Sequence, residues 1–253
     1  MIAITREVPR SISDCQLTHV ARAPIDVARA RAQHLEYEDA LRASGCEVVR
    51  LPELVDYPDS VFVEDVALVL DEGAVMTWPG AVPRQGEVAP MASALEQYRS
   101  LRSVTAPGTL DGGDVLCLGR TIWVGRSARS NAEGVAQLAT LVAPWGYTVR
   151  AAAMCDALHL KTAVTAVAEG ALLVNPEWVD ATQFPGFAII AVDPSEPFAA
   201  NAVLVNGRVI HSLAFPRTQE KLRALGIDVV GVDASELAKA EGGVTCCSLL
   251  LAR

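Results

Sequence analysis

The sequence is short of positive charge. Its 253 residues carry 21 Lys and Arg against 30 Asp and Glu, a formal net charge of −9. That deficit argues against nucleic acid or an anionic membrane as a partner and leaves room for a cationic ligand. There is no run of about 18 apolar residues, so no transmembrane helix is expected. The opening MIAITREVPR has no apolar stretch long enough for a secretory signal, which points to the cytoplasm. The six cysteines, Cys15, Cys46, Cys117, Cys155, Cys246 and Cys247, are therefore read as reduced thiols rather than a disulfide framework. No Cys-x-x-Cys occurs and no His sits at metal spacing, so no metal or other cofactor is expected. What is present in quantity is apolar: 51% of residues are hydrophobic and 20% charged. A folded chain of this length buries a sizeable core.

Strand-like and helix-like runs alternate along the chain. VFVEDVALVL and GAVMTW precede a helical run. DVLCLG with RTIWVG, AVTAVAEGALLVN and ANAVLVNGRVIHSL repeat the hairpin, the last with an Asn206-Gly207 turn. The first strands enter near Asp65, Asp114, Lys161, Asn201 and Cys246, at spacings of 49, 47, 40 and 45 residues. A period of roughly 45 suggests a radial or stacked array, with an open mixed sheet as the plainer alternative. The last unit has only its first strand, CCSLLLAR. Its missing parts are IAITREV, a helix over DVARARAQHLEYEDALRASG and EVVRLP at the N-terminus. A ring closed by joining the two ends explains that split. Asp65, Asp114, His159, Asn201 and Cys246 would then converge on the axis.

Several residues suit chemistry. Cys246 and Cys247 follow a Gly-Gly turn, and an alternating strand would let only one of them face a given cavity. Vicinal thiols are commonly packing residues, but a thiolate is also a strong nucleophile. Oxidation of the adjacent pair would close a strained ring, so a redox role is the weakest reading. Of four histidines, His34 in a charged helix is expected at the surface and His211 in a structural role. His159 starts the third unit, as Cys246 starts the fifth, and a Cys and a His meeting from distant positions is a familiar thiol-enzyme arrangement. Asp111 and Asp114 in LDGGDV read either as turn residues or as a carboxylate that orients the histidine. Asp59, Glu64 and Asp65 lie in an apolar run with no local cation, so a cationic guanidinium is an attractive counter-charge, with Phe62 covering its plane. Arg84 and Arg129 occupy equivalent loops and are either solvated or a clamp for a carboxylate.

In order, DVARARAQH, DSVFVEDVA, PGAVPRQGEV, LDGGDVL, LHLK and GGVTCCSLL resemble the dimethylarginine dimethylaminohydrolase family of guanidino-group-modifying enzymes, over nearly the whole chain. The resemblance implies a five-bladed pseudo-symmetric α/β-propeller of strand-strand-helix-strand units, forming one catalytic domain over 1–253. It implies Cys246 as nucleophile, His159 as general acid/base and Asp111 as its orienting carboxylate. It also implies Asp59, Phe62, Glu64, Asp65, Arg84, Arg129, Leu17, Glu241 and Val244 around the substrate, with Leu17 on a covering loop and Glu241 at the rim. The implied reaction is hydrolysis of methylated arginines to citrulline and an amine, on a small-molecule substrate, with a homodimer left open. Rival readings are arginine or agmatine deiminase, an amidinotransferase, or a non-catalytic binder of basic amino acids. Lys161 two residues after His159 argues against arginine deiminase, which resembles this chain but carries an Asp there.

Overall fold

The computed structural model describes residues 1–252; Arg253, the last residue of the expected domain, lies outside the described residues. The chain starts with β1 (Ile2–Arg6), α1 (Val27–Ala43) and β2 (Glu47–Leu51). The first complete unit is β3 (Ala67–Val69), β4 (Ala74–Met76), α2 (Val88–Leu95) and β5 (Leu101–Ser103). The second is β6 (Val115–Leu118), β7 (Thr121–Gly125), α3 (Ala132–Val142) and β8 (Thr148–Ala152). The third opens on a single turn, α4 (Leu160–Ala163), and runs β9 (Val164–Ala168), β10 (Ala171–Val174) and β11 (Ala188–Ala191). The fourth is β12 (Ala202–Val205), β13 (Arg208–Ser212), α5 (Pro216–Ala224) and β14 (Asp228–Val232). After α6 (Ser235–Ala238) the chain ends on β15 (Leu249–Leu251).

Each unit is its own three-stranded sheet, with the second strand in the middle. The first strand pairs with it antiparallel and the third parallel. The fifth sheet is built from both chain ends: β15 pairs antiparallel with β1, Leu249 opposite Ile4, and β2 pairs parallel on the other side. The third unit departs from the expected pattern. A 3-10 turn at Ala181–Gln183 replaces its helix, which is why the spacing across it is the shortest of the set.

Five hydrophobic clusters fill the five seams between neighbouring sheets. Ile4, Met76 and Leu249 join the fifth sheet to the first. Val75 and Ile122 join the first to the second, and Trp123 and Leu172 join the second to the third. Leu173 and Val209 join the third to the fourth, and Ile210 and Ala3 return to the fifth. Fully burying one such side chain is worth about 1.5–3 kcal/mol, so every seam holds the ring shut. The small sheets themselves stay open-edged and are arranged around the axis like blades.

The helices follow from local signals. Asp26 caps α1 by accepting the Arg29 N–H at 3.0 Å, and Asn131 caps α3 by accepting the Gly134 N–H at 2.8 Å. The helix α1 is less solvated than its charge suggests. Glu38 is fully buried and accepts from Thr5 Oγ1 at 2.7 Å, from Arg42 and from Arg50. His34, expected at the surface, is buried beside it, and burial lowers its pKa to about 4. Charge density in sequence hid a paired ionic cluster between α1 and the β1–β2 sheet.

Candidate active site

The first strands of three units are preceded by one 3-10 turn each: Val63–Val66, Gly112–Asp114 and Thr245–Cys247. In the third unit α4 takes that place, with His159 as its N-cap residue. These turns carry the reactive groups to the axis. Cys246 therefore sits on a helical turn and not, as expected, on the strand. The two thiols still diverge, Cys246 half-buried at a cavity and Cys247 buried in the core, but the cause is turn geometry rather than strand alternation.

Cys246 and His159 line the boundary of two cavities. The first, about 20 Å³, is lined by Asp59, Phe62, Asp65, Arg84 and Arg129. The second, about 380 Å³, has a largely apolar wall and also reaches Asn201 and Val244. Of the residues expected at the axis, Asp65, His159, Asn201 and Cys246 reach a cavity. Asp114 does not line either one. Its carboxylate accepts the Leu160 N–H at 3.0 Å and the Ser127 and Ser130 hydroxyls at 2.5 and 2.6 Å. It thereby fixes the turn that presents His159.

His159 is 5% exposed. Its Nε2 lies 3.0 Å from Asp111 Oδ2, and its Nδ1 is 3.8 Å from Asp65 Oδ1. Burial alone would lower the imidazole pKa. The carboxylates of Asp65, Asp111 and Asp114 overcome that and hold it at about 9. Asp111 is in turn fixed by the Gly80 N–H, which donates to Oδ1 at 2.9 Å. Gly113 makes the close packing possible: a Cβ there would stand 2.5 Å from His159 Nδ1 and 2.8 Å from Asp65 Oδ1. The Gly-Gly of LDGGDV is thus a packing requirement of the site and more than a turn.

Burial, followed by the Glu64 and Asp65 carboxylates, raises the Cys246 thiol to about 12. The Gly243 N–H donates to Sγ at 3.4 Å and pulls the other way. At neutral pH the resting pair is a thiol beside an imidazolium. Asp65 is opposed by burial, but the charges of His159 and Arg84 bring it down to about 2.

The run around Asp65 and Glu64 has no cation of its own, but the fold supplies one to each from elsewhere, in addition to any ligand. Arg84 Nη1 donates to Asp65 Oδ2 at 2.5 Å, and Lys161 Nζ donates to Glu64 Oε1 at 2.5 Å. The cations come from other turns of the ring, where sequence proximity gives no signal. Arg84 is not a solvated loop residue either. It is buried and also donates to Glu87, at 3.1 and 2.8 Å, and to the carbonyls of Phe62 and Asp59. Glu64 accepts Thr245 Oγ1 at 2.9 Å and lines a further cavity, not the two at Cys246. Its side chain thus lines neither cavity at Cys246, although its charge reaches the Cys246 thiol. Thr245 is held in turn by Asn201, which accepts its N–H at 3.1 Å. Glu87, Thr245, Ser127 and Ser130 had no distinguishing signal in the sequence, and Lys161, marked there as a strand entry, gave no sign of its pairing with Glu64.

The covering segment is tied down by the same groups expected at the substrate's amino-acid end. The Gln16 N–H donates to both Asp59 oxygens at 3.2 and 3.1 Å. Glu241, at a left-handed φ of 59°, accepts the backbone N–H groups of Thr18, His19 and Val20. Arg129 Nη2 donates to Thr18 Oγ1 at 2.9 Å. Leu17 itself lines neither cavity and packs, partly buried, against the core between the fourth and fifth sheets. Asp65, Asp111 and His159 offer ligand atoms within 4.8 Å of one another. A raised imidazole pKa and the existing bonds of both carboxylates make that cluster a poor fit for a cation.

The fold narrows the class first: a five-unit α/β-propeller with a thiol, an imidazolium and carboxylates at its axis is the arrangement of guanidino-group-modifying enzymes. Within that class the comparisons are specific. The family model described as N,N dimethylarginine dimethylhydrolase, eukaryotic, matches residues 18–252. The N(G),N(G)-dimethylarginine dimethylaminohydrolase of Pseudomonas aeruginosa is 37% identical over 248 residues, 97% of each chain. That of Streptomyces coelicolor is 39% identical over 251 residues, 98% of this chain and 96% of its own. A solved structure of the Pseudomonas aeruginosa protein, a cysteine-to-serine mutant complexed with citrulline, superposes with a TM-score of 0.94 at 36% identity, covering 98% and 97% of the two chains. The N-terminal domain of the cyanobacterial arginine dihydrolase ArgZ shares the fold at a TM-score of 0.87 and 24% identity. The chain belongs to the dimethylarginine dimethylaminohydrolase family.

Proposed function

We propose that this chain hydrolyses Nω-methylated arginines to citrulline and methylamine or dimethylamine, as one catalytic domain over 1–253 working in the cytoplasm. The observation that carries the reading is that Cys246 and His159 share a cavity with Asp59 and Asp65, in a chain of this family. Asp59, Asp65, Glu87, Asp111 and Asp114 place five carboxylates around three cations, Arg84, Arg129 and protonated His159. That surplus of negative charge suits a substrate with a net positive charge.

Asp65 holds the guanidinium with its central carbon beside Cys246 Sγ, and Phe62 lies along its plane. Arg129 takes the substrate carboxylate, with the one Arg84 N–H left over from its buried network. A cation next to Sγ reverses the unfavourable field of Glu64 and Asp65, so the thiol ionises as substrate arrives and its proton leaves to solvent. Sγ then bonds to the guanidinium carbon. His159 gives a proton to the methylated nitrogen, the C–N bond breaks, and the amine leaves a thiouronium on Cys246. His159 next takes a proton from a water that attacks the same carbon. The C–S bond breaks, citrulline departs, and the thiol regains a proton. No step calls on a metal or organic cofactor.

The small cavity, about 20 Å³, is too small for the amino-acid end of the substrate. Binding therefore displaces the Gln16 N–H from Asp59 and the N–H groups of Thr18, His19 and Val20 from Glu241. Those carboxylates then accept the α-ammonium group, which offers the same kind of donor. No nucleic acid or membrane partner is part of this reading, and a homodimer is compatible with it; no helix among the described residues is long and apolar enough to cross a membrane. A citrulline-release assay on asymmetric dimethylarginine, monomethylarginine, arginine and agmatine tests it. Turnover of the methylated forms at least tenfold faster than the others is expected. Preference for arginine or agmatine would return the reading to a deiminase.

A further inference from the structure

The two cavities at the reacting pair differ in kind. The small one carries the charged groups for the amino-acid end. The large one lies against the same Cys246 and His159 and shares Leu158, Glu241 and Gly242 with the small one, but beyond that shared edge its wall is mostly apolar, with Phe198, Phe215, Ala214, Ala238 and Val244. With the proposed function as premise, the amino-acid end occupies the charged side. The nitrogen that His159 protonates, and whatever that nitrogen carries, then faces the apolar side. A dimethylamino group has three heavy atoms and needs roughly 90 Å³, at about 30 Å³ per atom, the share of one water in the liquid. The cavity of about 380 Å³ is several times larger than its expected occupant.

Its mouth is apolar too. Phe198 is 47% exposed and stands edge-on against Trp178, with ring centroids 5.0 Å apart. An exposed aromatic side chain at the rim of a buried reactive pair marks a surface that gains from covering apolar substrate. A pocket shaped for two methyl groups alone would close around them, because an unfilled apolar volume forfeits contacts on all its walls.

We propose that this chain is also a hydrolase of arginines bearing larger apolar Nω-substituents, alkyl or arylalkyl, and that the large cavity is the subsite for the departing amine. The balance is that of the methylated substrates. Sγ bonds to the guanidinium carbon as the bond to the substituted nitrogen breaks, with the proton on that nitrogen coming from His159. Water then replaces sulfur, so one Nω-alkylarginine and one water give citrulline and one alkylamine.

The test is steady-state citrulline release from Nω-methyl-, Nω-butyl- and Nω-benzylarginine, with asymmetric dimethylarginine as reference. Chemically identified butylamine or benzylamine is the second product to be measured. The native chain is expected to keep kcat/KM for the butyl and benzyl forms within tenfold of the methyl form. Ala238→Trp and, independently, Ala214→Phe fill the cavity from two walls. Each is expected to lower kcat/KM for the benzyl form at least tenfold and to leave dimethylarginine within threefold. A fall of more than a hundredfold from methyl to butyl in the native chain overturns the proposal. So does an equal loss on dimethylarginine in both folded variants, which would put the amino-acid end in the large cavity. Absence of dimethylarginine turnover in the native chain would instead overturn the underlying function.

Discussion

Replacing Asp111 by asparagine changes one atom of the site, and the structure fixes which way the new amide must lie. The Gly80 N–H donates to Asp111 Oδ1 at 2.9 Å and requires an acceptor. The oxygen of the introduced amide has to stay there, which turns its NH₂ toward His159 Nε2, 3.0 Å from the replaced oxygen. A donor facing Nε2 forces the neutral ring to carry its proton on Nδ1, the nitrogen on the Asp65 side. The imidazolium is then opposed where it had been supported. The full displacement of His159 from 6.5 to about 9 corresponds to roughly 3 kcal/mol at about 1.4 kcal/mol per unit. Burial works against it, and three carboxylates share it, so Asp111→Asn should lower the pKa by about one to two units. Loss of the correct tautomer and of imidazolium support should lower kcat by about 10³–10⁴-fold, as in other thiol and serine hydrolases with an orienting carboxylate. The measurements are kcat against pH and the His159 ring titration by NMR, with Asp111→Glu as a conservative control. A kcat within tenfold of the parent, or a histidine still titrating near 9, would refute the role assigned to Asp111.

Three further outcomes are expected. Lys161→Met leaves the Glu64 carboxylate, 10% exposed, without its cation, and should cost about 3 kcal/mol in urea unfolding; adding Glu64→Gln should restore most of it, and failure of that rescue would argue against the pair. Gly113→Ala drives a methyl to within 2.5 Å of His159 Nδ1, so kcat should fall at least tenfold while circular dichroism is unchanged; normal kinetics would show that the turn relaxes cheaply. A group that binds its proton more tightly folded than unfolded stabilises the fold while protonated. His159, at about 9 folded against 6.5 free, should contribute fully below pH 6.5 and lose that contribution as pH rises to 9. Urea unfolding at pH 6, 7.5 and 9 should therefore show the parent losing roughly 3 kcal/mol more than His159→Gln; parallel pH profiles would contradict the raised pKa.

The parts of the fold visible in the sequence are those with local signals. The Asn206-Gly207 hairpin turn and the spacing of strand entries are local, and the N- and C-terminal fragments complete one unit by arithmetic. The site is visible where it follows that repeat: Asp65, His159 and Cys246 enter at equivalent points. Its charge pairing is not visible. Lys161 is 97 residues from its partner Glu64, and Arg84, 19 residues after Asp65, meets it from a later turn of the same unit. Ion pairing across a ring is a property of closure, which no local run contains. His34 failed for a related reason, since a charged helix can bury its polar face when the neighbouring sheet supplies arginines.

The protonation of the resting site has a consequence for survival in an oxidising or electrophile-rich environment. Peroxide, disulfides and soft alkylators all react with the thiolate. With the Cys246 thiol at about 12, about one molecule in 10⁵ is ionised at pH 7, compared with a few per cent for an ordinary cysteine. Cys247, the adjacent thiol, is buried in the core. On the proposed mechanism the chain keeps a nucleophile that its own substrate switches on, and indiscriminate oxidants find almost nothing to attack between turnovers.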